Sequence, residues 1–201
     1  MIIGLTGTYC AGKNHIASIL EKRGLPVLDV DKLGHIVLET EKVAVFNQFG
    51  DDLKREDGSL DRRALGQRVY GSPEKLAALE AIVHPGANRL TDEWIAAKGI
   101  SRMPCVINAA LLHKSSVFCK LDRIIIVYAP FFTRLIRAKQ RDNLPWAEIL
   151  RRFNTQKDFN SQYLSINAEI YKVENPGLFK ICLNSRNQKL ERKIDKIIEG
   201  I

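Results

Sequence analysis

Gly7-Thr8-Tyr9-Cys10-Ala11-Gly12-Lys13-Asn14 spaces two glycines and a lysine as G-x-x-x-x-G-K. Glycines at those positions let the backbone curl so that successive amide N–H groups face phosphate oxygens, and the lysine then reaches the outer phosphates. The position after the lysine, usually a Ser or Thr that ligates Mg²⁺, is Asn14. Its amide oxygen is also a possible metal ligand, one bond further from the backbone. The expected nucleotide contacts are therefore Gly7, Tyr9, Cys10, Ala11, Gly12, Lys13, Asn14 and His15, with Asn14 as the metal candidate. The competing structural reading is a plain glycine turn. Cys10, beside Lys13 and a helix N-terminus, is expected to have a lowered thiol pKa, against the alternative of a buried inert thiol.

Two further sets of residues carry possible chemistry. Leu28-Asp29-Val30-Asp31 places carboxylates at the end of a strand, where Asp31 is expected either to accept a proton from an acceptor hydroxyl or to cap the following helix. Arg134, Arg137 and Arg141 recur at i, i+3 and i+7, which puts three guanidinium groups on one helix face. Such a face repels itself unless an anion docks there, and guanidinium matches phosphate oxygens bidentately.

These residues need elements to hold them. Ile2 to Thr6 reads as a strand entering the glycine turn, His15 to Leu20 as the helix leaving it, and Leu25 to Leu28 as a second strand. From Lys32 to Lys98 the pattern is nearly all helical, with Asp61 and Ser72-Pro73 as helix starts. Cys105–Ile107 and Arg123–Val127 read as buried parallel strands. Helices are expected from Pro130 to about Arg141 and from Pro145 to about Gln156. A polar stretch follows to about Asn175, then a fifth strand over Phe179–Leu183 and a closing helix over Asn187–Glu199. Strands alternating with helices predict an α/β fold with a parallel sheet.

The order Gly4-Leu5-Thr6-Gly7, Gly12-Lys13, Asp29-x-Asp31 with His35, Asp57-Gly58-Ser59-Leu60 running into Arg62-Arg63-Ala64-Leu65, His84-Pro85 and Leu111-Leu112 resembles the dephospho-CoA kinase family along essentially the whole chain. Arg137-x-x-x-Arg141-Asp142 with Arg151-Arg152 and Gln156 resembles that family's lid, and Asn184 its adenine-side segment. The resemblance implies a single P-loop kinase domain over 1–201. It would have a five-stranded parallel sheet flanked by helices, a helical acceptor lobe over about 32–100 and a basic helical lid over about 131–172. It implies transfer of the γ-phosphate of ATP to the ribose 3′-hydroxyl of dephospho-CoA, with Mg²⁺. Lys13, Asp31, Arg137 and Arg141 would be catalytic, Asn184 would contact nucleotide, and Asp31, His35, Arg63 and His84 would line the acceptor side. The sequence departs from the family pattern at Asn14, at Asn108 and Ala110, which stand for an Asp and a Pro, and at Lys114, which stands for an acid.

Composition narrows the alternatives. The net charge is +8, and from Arg123 onward there are 15 Lys or Arg against 8 Asp or Glu. That regional field suits a polyphosphate ligand; the aromatics, at 7%, form no stacking run for nucleic acid. No apolar run approaches the roughly 20 residues of a membrane span, and no signal-peptide pattern opens the chain. Cys10, Cys105, Cys119 and Cys182 have neither redox nor zinc spacing. A cytoplasmic monomer with reduced thiols is expected, binding small molecules and no specific nucleic acid or membrane. Another P-loop kinase, or a non-catalytic nucleotide sensor, remains open at this level.

Overall fold

The computed structural model describes all residues except 100–102, 157–158, 160, 164–165, 176–182 and 200–201. The chain divides into two units, Met1–Leu28 with Lys98–Ile201, and Asp29–Ala97.

The first unit is built on strands β1 (Ile2–Gly7), β2 (Val27–Asp29), β3 (Cys105–Asn108), β4 (Arg123–Tyr128) and β5 (Glu169–Glu174), arranged in the order β2-β3-β1-β4-β5. β1 pairs in parallel with β3 and β4, and β4 with β5. Every residue of β3 and the central four of β4 are buried, which is why these strands read as continuous apolar runs rather than alternating ones. Helix α1 (Lys13–Lys22) packs Ile16 and Leu20 on Ile3, Leu5, Val106 and Val127, and α8 (Leu183–Glu199) adds Leu190 and Ile194 to the same core. Arg23, just past α1, pairs with Asp195 at 2.9 Å and Glu191 at 3.2 Å on α8. Helices α6 (Phe131–Asp142) and α7 (Trp146–Asn154) form a smaller cluster through Ala138, Ile149 and Phe153, against which Tyr9 and Cys10 pack.

The second unit contains α2 (Val30–Thr40), α3 (Lys42–Phe49), α4 (Arg62–Val69) and most of α5 (Pro73–Gly99). Val45, Phe46, Phe49, Leu53, Leu60, Leu65 and Val69 make its own apolar core. Asp61 caps α4 by accepting from the Arg63 and Ala64 N–H groups, and Ser72 Oγ accepts from Lys75 N at the start of α5. Both starts match the sequence reading.

Two sequence expectations need correction. Residue 31 is not the cap of α2; Asp29 is, its carboxylate accepting from Lys32 N at 3.2 Å, so Asp31 lies inside the first turn. Pro85 lies inside α5, which runs through it at the cost of one backbone hydrogen bond, in keeping with the nearly all-helical reading of Lys32 to Lys98. The polar stretch before Asn175 holds β5, an edge strand in which only Val173 is fully buried, so it lacks the apolar run that marks the inner strands. Of the expected fifth strand, Phe179–Cys182 lie outside the described residues and Leu183 begins α8.

Candidate functional site

The glycine turn occupies the end of β1 and the start of α1. Ala11 N donates to Thr8 O at 2.9 Å, and His15 N to Gly12 O at 3.0 Å, closing the loop directly onto the helix. Cys10 and Gly12 both have positive φ, 59° and 91°, which gives the loop its inward curl. A side chain at Gly12 would be doubly excluded, by that φ and by collision with Asn175 Nδ2. Lys13 and Asn14 are the first residues of α1, so the helix's positive end lies under the same turn.

Helices α6 and α7 pack over this loop within the same unit. Arg137 donates to Ala11 O at 3.0 Å and to Asn175 Oδ1 at 3.4 Å, while Asn175 Nδ2 donates to Ala11 O at 3.0 Å. Tyr9 N donates to Gln156 Oε1 at 2.6 Å, and Tyr9 OH donates to Asp142. Arg141 pairs with Asp142 at 2.7 Å and lies 5.2 Å from the centroid of the Tyr9 ring; Arg134 sits over Phe153 at 4.6 Å. The arginine face read from the sequence thus converges on one loop.

Electrostatics follow from that convergence. Burial, then the bond to Asp142, pushes the Tyr9 phenol up to about 12. The Arg141 guanidinium holds the Asp142 carboxyl below the usual carboxylate range. Burial pulls Arg134 and Arg137 down from the ordinary arginine value, the cost of holding guanidinium groups out of water. Cys10 departs from expectation. Burial raises its thiol pKa, with Arg141 the largest opposing influence, because tight packing under the lid outweighs the nearby cations. Burial thus favours the protonated thiol, the second of the two readings of Cys10. Cys10, Cys105 and Cys119 are all free thiols, and Cys182 lies outside the described residues.

The metal candidate behaves differently again. Asn14 Oδ1 accepts from Asn108 Nδ2 at 3.3 Å, and Asn108 Oδ1 is buried without a hydrogen-bond partner among the described residues. Among the described residues no group of three His, Cys, Asp or Glu could hold a metal. Among the described residues, those beside the loop thus form no all-protein cage for Mg²⁺, and Asn14 Oδ1 is already engaged by Asn108.

In the second unit, His35, Glu39, Arg55, Ser59, Leu60 and Arg62 line a groove of about 530 Å³. Arg55 pairs with Asp61 at 3.4 Å. Of the acceptor-side candidates, His35 is in the groove; Arg63 is exposed and does not line it, whereas its neighbour Arg62 does. His84 is half-buried within α5, and Asp31 is exposed in the first turn of α2. Asn184 begins α8. Sequence reading missed Asn175, which is 5% exposed and braces the loop, because it follows an unrecognised strand. Two adjacent arginines at a helix start give no signal of which one faces the groove, and it is Arg62 that does.

The family model for dephospho-CoA kinase (CoaE) matches residues 1–171. A dephospho-CoA kinase of Treponema denticola is 36% identical, the match covering 87% of this chain and 82% of that one. A second, of Treponema pallidum, is 31% identical over 98% of this chain and 93% of its own. A crystal structure from Thermus thermophilus superposes with a TM-score of 0.76 at 30% identity, covering 100% of this chain and 97% of that one. A dephospho-CoA kinase structure from Campylobacter jejuni, at 22% identity and a TM-score of 0.69, shares the fold.

Proposed function

The chain belongs to the dephospho-CoA kinase family, and from that premise we propose how its residues carry out ATP-dependent phosphorylation of the ribose 3′-hydroxyl of dephospho-CoA, the step that yields coenzyme A. The carrying observation is the loop between β1 and α1, roofed by arginines of α6. Phosphoryl transfer asks for positioning and charge stabilisation above all, since the transferred group changes little in covalent terms. Loop amides and the N-terminus of α1 would take the phosphates of ATP, Lys13 the outer ones. Arg137 and Arg141, on the helix that folds over the loop, would stabilise charge on the transferring group.

Asp31 would orient the 3′-hydroxyl and accept its proton. Its cap function is met by Asp29, which removes the bland explanation for its presence. His35 and Arg62 would contribute to the acceptor side through their shared groove, and His84 through α5. Mg²⁺ is the expected companion of the nucleotide's phosphates, although the neighbouring side chains fit it poorly as ligands. Among the described residues no helix is long and apolar enough to cross a membrane. We assign the protein to the cytoplasm as a monomer.

The test is a coupled assay with ATP and dephospho-CoA, adenosine and AMP as acceptors. Dephospho-CoA should be used at least tenfold better than either, with product phosphorylated at the 3′ position. A better acceptor among them would overturn the substrate assignment.

A further inference from the structure

Asn108 closes β3 opposite Leu5 and is 2% exposed. Its amide atoms have unequal fates: Nδ2 donates to Asn14 Oδ1 at 3.3 Å, while Oδ1 is buried with no partner among the described residues. Turning the Asn108 amide over would set two acceptor oxygens against each other, and turning both amides would leave an orphaned donor in place of the acceptor. In every orientation the pair is uncharged. It stands one residue beyond Lys13, at the start of the helix whose N-terminus faces the phosphate loop.

Charge at this spot decides how a polyphosphate is received. A carboxylate at residue 108 would be buried near the nucleotide's own negative charge, and only a divalent cation between them would make the arrangement tolerable. An amide imposes no such demand. The loop amides, Lys13 and the lid arginines are then sufficient positive charge for the phosphates.

We propose that the Asn14–Asn108 amide pair uncouples nucleotide binding from divalent cation, so that this protein takes up ATP with similar affinity whether or not Mg²⁺ is present. The proposal rests on the ATP-dependent reading above and adds a property of its nucleotide site. Asn108 is the determining residue, because its burial leaves no water to screen a charge placed there.

Calorimetric titration of the full chain with ATP, in excess Mg²⁺ and in excess EDTA, tests it. The two dissociation constants should agree within about fivefold, and Asn108→Asp should raise their ratio by at least about fivefold through loss of affinity for bare ATP. Asn108→Ser, uncharged, should keep the parent ratio. If Asn108→Asp does not fold, Asn14→Asp places the same charge at the start of α1 and should raise the ratio likewise. A parent ratio above about fivefold, or a charged variant that leaves it unchanged, overturns the proposal. Catalytic turnover measured alongside separates the two readings. An active enzyme with strongly cation-dependent ATP affinity sinks the uncoupling alone, whereas cation-independent ATP binding without dephospho-CoA phosphorylation sinks the acceptor assignment alone.

Discussion

Lys13 and Asp31 are both polar residues in the first turn of a helix, yet they are expected to fail in different ways. Lys13 follows the loop and would touch phosphate in the ground state, so Lys13→Ala should weaken ATP binding and turnover together. Asp31 would act on the acceptor hydroxyl, so Asp31→Asn should lower kcat by about 10²-fold or more and leave ATP affinity within a few-fold. Fluorescence titration with a labelled ATP analogue, set beside steady-state kinetics, distinguishes them. Equal loss of ATP affinity in both variants would remove Asp31 from the chemistry. The comparison is clean because Asp29 carries the helix cap, so Asp31→Asn does not uncap α2. Cys10 shows the limit of local reasoning at this scale. Its neighbours in sequence argue for a thiolate, but its packing against the lid argues more strongly for the thiol.

At the scale of elements, the second unit depends on two helices meeting closely where α5 passes α2. A Cβ added at Gly86 would lie 2.8 Å from Val37 Cγ1 and 3.2 Å from Cγ2, and Val37 is 2% exposed, so it has little room to retreat. Two effects oppose each other in Gly86→Ala. Alanine favours the helix by about 1 kcal/mol, while overpacking a filled core costs about 1–3 kcal/mol. The contact should win, and the urea midpoint should fall. Adding Val37→Ala removes the colliding methyl groups, so part of the Gly86→Ala loss should vanish in the pair. Strictly additive losses would show that the helix separation is not set by this contact. The same element carries Pro85 in its interior, within a stretch that reads as helical throughout. The rule that proline interrupts a helix is local, and here packing along the rest of α5 overrides it.

For the whole molecule, the +8 net charge and the cationic lid favour anionic substrates over long range. Raising the ionic strength with KCl from about 0.03 M to about 0.3 M shortens the screening length roughly threefold. It should lower kcat/KM for dephospho-CoA while leaving kcat nearly unchanged; a salt-independent kcat/KM would confine the role of the charge to solubility. The sequence by itself determined the inner strands, the phosphate loop, the capped helices and the arginine face, because each rests on a period or a spacing within a few residues. Family resemblance extended that reading to the acceptor side. Tertiary structure decided what no spacing encodes. Asn175, on an edge strand with one buried residue, reaches across to brace Ala11 and exclude a side chain at Gly12. Arg62 rather than Arg63 faces the groove, and Asn108 meets Asn14 from 94 residues away. Those contacts depend on residues apart in the chain, so they come into being only once the sheet and the helical unit have each assembled.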